Sequence, residues 1–218
     1  MKYYLLVAIS LGALQSFAQG PDLEVGIYNS FYNFVNNRPL PAHIRINRPK
    51  ADPLYLDQPE SEETEPHWRY ISSDQVIFLP NIKVKRRAYL KRNMWGFYDG
   101  EYVYVTSKIY TRSNVTRYSR ILHFGRYCYF YGAEDVYKKT AGVIGGLVGM
   151  LPVGHYYLLD MADGSAQKLT PEAVENIVKE FPSLHARFKK SRTLMKDMLS
   201  FIEEYNQLVE HTFAQEGQ

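Results

Sequence analysis

The sequence predicts an α+β fold: an antiparallel, aromatic-rich β-sheet with C-terminal helices packed on one face. Three observations carry this expectation. From His67 to Tyr131 the chain is a succession of short β-branched and aromatic runs punctuated by Gly, Asn or Pro. Two Asp-Gly pairs, Asp99-Gly100 and Asp163-Gly164, interrupt alternating runs as hairpin turns do. After Thr170 the apolar period lengthens from that of a strand to that of a helix. The composition agrees: 19 Tyr, 11 Phe and one Cys in 218 residues point to a domain held by packing rather than disulfides.

The N-terminus, "MKYYLLVAISLGALQSFAQG", has one Lys, an uncharged apolar run and Ser16-Phe17-Ala18. That order reads as a signal peptide over residues 1–18, cut after Ala18. The run falls well short of the ~20 apolar residues a membrane span needs. No Cys follows the cut to accept a lipid. Residues 19–212 then form a single α+β domain, and 213–218 fray. The net charge of +3 loses one unit with Lys2 and gives no argument for nucleic acid.

Ile27, Phe31, Phe34 and Val35 lie on one helical face, which predicts a short helix at about 30–37, capped by Asn29 and ended before Pro39. "HIRIN" alternates as a strand does. From Asp57 to Glu65 the chain is acidic with no apolar side chain and reads as a loop. "QVIFL", "IKVKRRAYL", "NMWGFYDGEYVYVTS", "TRYSRILHF" and "RYCYFYG" read as strands. A two-residue turn at Asp99-Gly100 sets Phe97 opposite Tyr102 and Trp95 opposite Tyr104, all on the face expected under the helices. Tyr98 then points the other way.

Asp163-Gly164 predicts a second hairpin with Leu159 opposite Lys168. Thr170-Pro171-Glu172 is a helix start: cap, Pro at the first position, acid in the first turn. Val174, Ile177, Val178 and Phe181 form its apolar stripe. Pro182 interrupts, and Ser183 caps one longer helix with Leu184, Phe188, Met195, Met198, Leu199, Ile202, Tyr205 and Val209 on one face.

"TAGVIGGLVGMLPVG", Thr140 to Gly154, breaks the pattern with five glycines and no charge. It lacks the Lys and hydroxyl of a phosphate-binding loop and the βαβ setting of a dinucleotide turn. Pro152, Gly154 and His155 interrupt it as a membrane segment. It reads as a flexible apolar excursion between strands. Its Val143, Ile144, Leu147, Val148, Met150 and Leu151 are candidates for contact with a membrane or partner, the peripheral contact spanning 141–153.

Chemistry is sparse. No two of the six His have metal-ligand spacing, and Asp160-x-x-Asp163-Gly164 lacks the alternating oxygens of a calcium loop. No cofactor, metal or catalytic constellation is expected. Cys128, within a strand-like run, reads as buried and structural. Lys83, Lys85 and Arg87 share one face of a basic stretch and, with Tyr98, are the candidate ligand-binding residues; with net charge nearly balanced, a solvated edge strand blunted against aggregation is the preferred reading of the stretch.

Taken together, the leader, "GIYNSFYNFVNNRPL", "WGFYDGEYVYV", "FGRYCYFYG", the Gly-rich insert and "YYLLDMADGSAQKLTPE" resemble small exported proteins of unknown function from Bacteroidota. The resemblance implies export and supplies no catalytic residue. The function expected is that of an exported, non-enzymatic binding or envelope-associated interaction protein with a protein or glycan partner. A glycan-binding module using exposed aromatics is the alternative. A hydrolase whose site the sequence does not display is the third reading.

Overall fold

The computed structural model describes residues 23–46, 70–72, 76–79, 93–112, 116–138 and 149–216. The readings of the leader, the acidic loop and the basic stretch lie outside them. Eleven strands are described: β1 (Gly26–Tyr28), β2 (Leu40–Pro41), β3 (His43–Ile46), β4 (Tyr70–Ser72), β5 (Val76–Leu79), β6 (Gly96–Tyr98), β7 (Val103–Thr106), β8 (Arg117–His123), β9 (Tyr127–Lys138), β10 (Gly149–Asp160) and β11 (Ala166–Lys168). The helices are α1 (Phe31–Val35), α2 (Pro171–Val178), α3 (Pro182–Phe188) and α4 (Met195–Glu216).

The expected α+β architecture is present. One antiparallel sheet runs β11-β10-β9-β8-β7-β6-β1-β2, with β4 also paired to β8. β3 and β5 make a separate two-stranded sheet. Strand alternation sorts the side chains into three cores. The inner core joins Tyr28, Trp95, Val103, Val105, Ile121, Cys128, Phe130, Tyr157 and Leu159. On the opposite face of β10, Leu158 packs with Val174, Val178, Leu184, Phe188, Met198 and Ile202 of the C-terminal helices. On the opposite face of β6 and β7, Phe97 and Tyr104 pack with Ile27, Met94 and Tyr118, and Ile44 and Ile46 of β3 lie against them. The sheet curls around its inner core. At one end, Gly164 in the β10–β11 loop approaches α1 at the other so closely that a Cβ there would lie 2.4 Å from Phe31.

Several expectations need correction. The hairpins form, but each is two residues longer in its loop: Phe97 pairs with Tyr104, and Lys168 with Tyr157. The aspartates explain the difference. Asp99 Oδ1 accepts from the backbone N–H of Glu101 (2.9 Å) and Tyr102 (2.7 Å), and Asp160 Oδ1 accepts from Ala162 N–H (2.6 Å). Side-chain acceptors widen a turn by replacing strand bonds. Gly100 and Gly164 still take the left-handed conformation, with φ of +106° and +76°.

The second correction concerns Trp95. It is buried, but not beside Phe97 and not under the C-terminal helices. Its N–H donates to Tyr28 O (2.9 Å) while Gly96 is also aligned with Tyr28, so two residues oppose one. This bulge reverses the alternation. Gly96 permits it, since a Cβ would sit 2.2 Å from Tyr104 O. Trp95 therefore stacks on Phe34 of α1 at 4.6 Å.

Third, the helix expected from Ser183 is two helices. α3 ends at Phe188, and Thr193 adopts φ of 53° before α4 begins. The polar run from Lys189 to Thr193 has no apolar position to hold a continuous stripe against the sheet. α4 carries helix through Glu216, into the segment expected to fray. Fourth, the apolar excursion is shorter than expected. Gly149 to Gly154 are strand, paired residue by residue with Lys138 to Ala133. At the N-terminal side, Ile27 belongs to β1 rather than to the helix, and Ser30, not Asn29, caps α1 by accepting from Asn33 N–H.

Candidate functional site

Two groups of titratable side chains stand out, together with one projecting element. The first group lies at the root of the β9–β10 hairpin. Along β9 the inward positions run Cys128, Phe130, Gly132, Glu134, so apolar contact gives way to a carboxylate as the strand leaves the core. Tyr157 O–H donates to Glu134 Oε1, and Lys168 Nζ meets Glu134 Oε2 at 2.9 Å. Tyr110 packs beside them, its ring 4.3 Å from that of Tyr157 and its hydroxyl 3.0 Å from Ser119 Oγ. Gly132 makes room for it: a Cβ there would lie 2.7 Å from the Tyr110 ring.

The electrostatics of this group are those of a latch. Burial works against the Glu134 charge, but the hydrogen bonds from Tyr157 and Lys168 outweigh it and hold the carboxyl below its ordinary range. Burial, and then the same carboxylate, push the Tyr157 phenol upward, so it remains a donor. Tyr110 is likewise raised, chiefly by burial. A carboxylate kept charged and two phenols kept protonated hold geometry; none is poised to exchange a proton near neutral pH.

The second group ties the helices to the sheet. Asn206 of α4 accepts from Tyr127 N–H and donates to Tyr127 O, both at 2.9 Å, and so mimics a strand at the start of β9. Gly125 clears its path, a Cβ there falling 2.3 Å from Asn206 Nδ2. Tyr129 O–H donates to Glu203 (2.5 Å), Tyr205 O–H to Glu180, and Arg126 pairs with Asp160. An extra residue in β8 between Ile121 and His123 turns His123 onto this face, where it stacks on Tyr129 at 5.3 Å. Burial lowers its pKa, with Glu203 opposing.

Cys128 is fully buried, and burial pushes its thiol up to about 12. Its Sγ–H points to Gly125 O at 3.6 Å. A thiolate nucleophile does not form under such conditions. Among the described residues no three His, Cys, Asp or Glu side chains gather as a metal cage requires.

The projecting element is the hairpin itself. β9 meets β8 at Tyr129 and Phe130, and β10 meets β11 from Tyr157 to Leu159. Beyond them, Ala133–Lys138 and Gly149–Gly154 pair only with each other among the described residues. Six pairs make an arm about 20 Å long, whose first residue on β9, Ala133, is still buried in the body. Pro152 removes one donor from its edge, a device that discourages strand addition. Tyr131 buttresses the base, its ring so close over Gly154 that a Cβ would meet it at 1.8 Å.

Of the residues singled out by sequence, Tyr98 is half-buried, packs against the inner core and donates its hydroxyl to Gly100 O at 2.9 Å. Met150 and Leu151 fall in β10, opposite Tyr137 and Val136. Lys83, Lys85, Arg87, Val143, Ile144, Leu147 and Val148 lie outside the described residues. Glu134, Tyr157, Lys168 and Asn206 were not anticipated. A carboxylate at an inward strand position is the signal that marks Glu134; Asn206 leaves none, because its partner lies 79 residues away.

No curated protein and no solved structure matches the chain. Residues 73–209 match the model of a family of unknown function, DUF6563, and the chain belongs to that family.

Proposed function

We propose that this family member works outside the cytoplasm as a binding protein, with the β9–β10 arm as its contact element. The observation that supports this reading is the arm: two strands paired beyond the sheet and latched at the root by Glu134, Tyr157 and Lys168. The segment joining Lys138 to Gly149 carries Val143, Ile144, Leu147 and Val148 with no charge after Lys139. An uncharged apolar segment carried on a braced ribbon is suited to a hydrophobic recess on a partner of the cell envelope. Export rests on the leader-like N-terminus. No helix among the described residues is long and apolar enough to cross a membrane.

Sugar stacking finds less support. Among residues whose burial is described, Tyr32 is the one exposed aromatic of Phe, Trp and Tyr type. The test is a mature chain with Val143, Ile144, Leu147 and Val148 all changed to Ser. It should melt within ~1–2 kcal/mol of the parent and lose its association with native envelope fractions. Unchanged association would remove the arm from the interaction.

A further inference from the structure

We infer that the turn between α3 and α4 is a docking surface for a bilayer rich in anionic phospholipid. Leu194 and Met195 are 59% and 41% exposed, and they are two of the four large apolar side chains left exposed among the described residues. They are adjacent in sequence and sit at the start of the longest helix. Around them Lys189, Lys190, Arg192 and Lys196 are all exposed. Between residues 189 and 197 the single acid is Asp197. Lys189 reaches one carboxylate, Glu175, at 3.8 Å.

The backbone presents this surface deliberately. Leu194 stands one turn before Met198, whose N–H bonds to Leu194 O, and so lies on the extension of the stripe that α4 buries. Thr193 takes φ of 53°, a conformation a β-branched residue adopts at a cost, and Ser191 Oγ accepts its N–H at 3.3 Å. The chain therefore enters α4 from outside, and Leu194 falls beyond the edge of the helix core instead of closing it. Two adjacent apolar side chains at the apex of a turn gain nothing from water and are free to enter an apolar phase. An interfacial one needs both features present here: apolar groups that enter the acyl boundary and cations that meet the headgroup phosphates. A protein recess would select shape; a ring of long, mobile cations around two flexible side chains suits a fluid, charged surface better.

This surface is separate from the arm, and the experiment keeps the two apart. Mature protein is sedimented with vesicles of equal phosphatidylglycerol and phosphatidylcholine, and with phosphatidylcholine alone. Binding is expected to the first, at least tenfold weaker to the second, and reduced by salt. Lys190→Gln/Arg192→Gln should weaken it about thirtyfold, and Leu194→Ser/Met195→Ser about tenfold, with the melting of both variants unchanged. No binding to the anionic vesicles overturns the inference. So does full binding by the Leu194/Met195 variant, or binding to soluble heparin with none to vesicles, which would make the partner a dissolved polyanion. Loss of vesicle binding in the arm variant alone would assign the membrane contact to the arm.

Discussion

Glu134 shows how a single side chain joins two elements. It is the carboxylate through which β9, β10 and β11 meet at the arm's root, by way of Tyr157 and Lys168. Glu134→Gln keeps the shape and loses the charge-assisted bonds, and should destabilise by about 1–2 kcal/mol at neutral pH. The pH dependence has a definite sign. Its folded-state pKa lies below the unfolded value, so its contribution is present above the ordinary Glu range near 4.3 and is lost as pH falls through the folded value. Melts of parent and variant should converge as the pH drops below about 4. A constant gap down to pH 2 would show that the carboxylate charge does not matter. In the sequence only the inward position of this carboxylate is legible; its meaning depends on Lys168, which sits across two strands from it.

At the scale of elements, the sequence signals were strongest where they were local. Thr170-Pro171-Glu172 specified the start of α2, and Thr170 Oγ1 does accept from Ala173 N–H at 3.2 Å. Both hairpins were announced by Asp-Gly, yet both registers were displaced by two. The glycine marks where φ must be positive, whereas the loop length depends on what the aspartate accepts. Trp95 failed for a related reason: alternation presumes one residue per position, and a bulge adds one. The helix–sheet junction leaves no local signal because its partners lie 79 residues apart. There, Asn206→Ala leaves the Tyr127 N–H and C=O without partners and should cost about 2–3 kcal/mol. Asn206→Asp keeps the acceptor alone and should fall between. If both variants melt like the parent, the α4–β9 junction is held by packing only.

For the whole molecule, the layout of the cores matters more than any one of them. β1 and α1 precede the residues matched by the family model, yet Ile27, Tyr28 and Phe34 are buried in two of the three cores. Phe34 covers Trp95, and β1 closes the open edge of β6. A fragment of residues 73–209 should therefore lack a cooperative thermal transition and expose Trp95 to solvent quenchers, while the chain from Gln19 melts in one step. Equal cooperativity in the fragment would mean that the first 72 residues are an accessory layer.

β8 has one further consequence. Its Ile121 enters the inner core, Tyr118 the core shared with β3, and His123 the helix side. A strand that belongs to three cores cannot open without loosening each of them, whereas β1 shares in two and the end of the arm can breathe alone. Amide protons should accordingly exchange in an ordered sequence, first in Ala133–Lys138, then in β1, and last in β8, whose protection reports the stability of the entire chain.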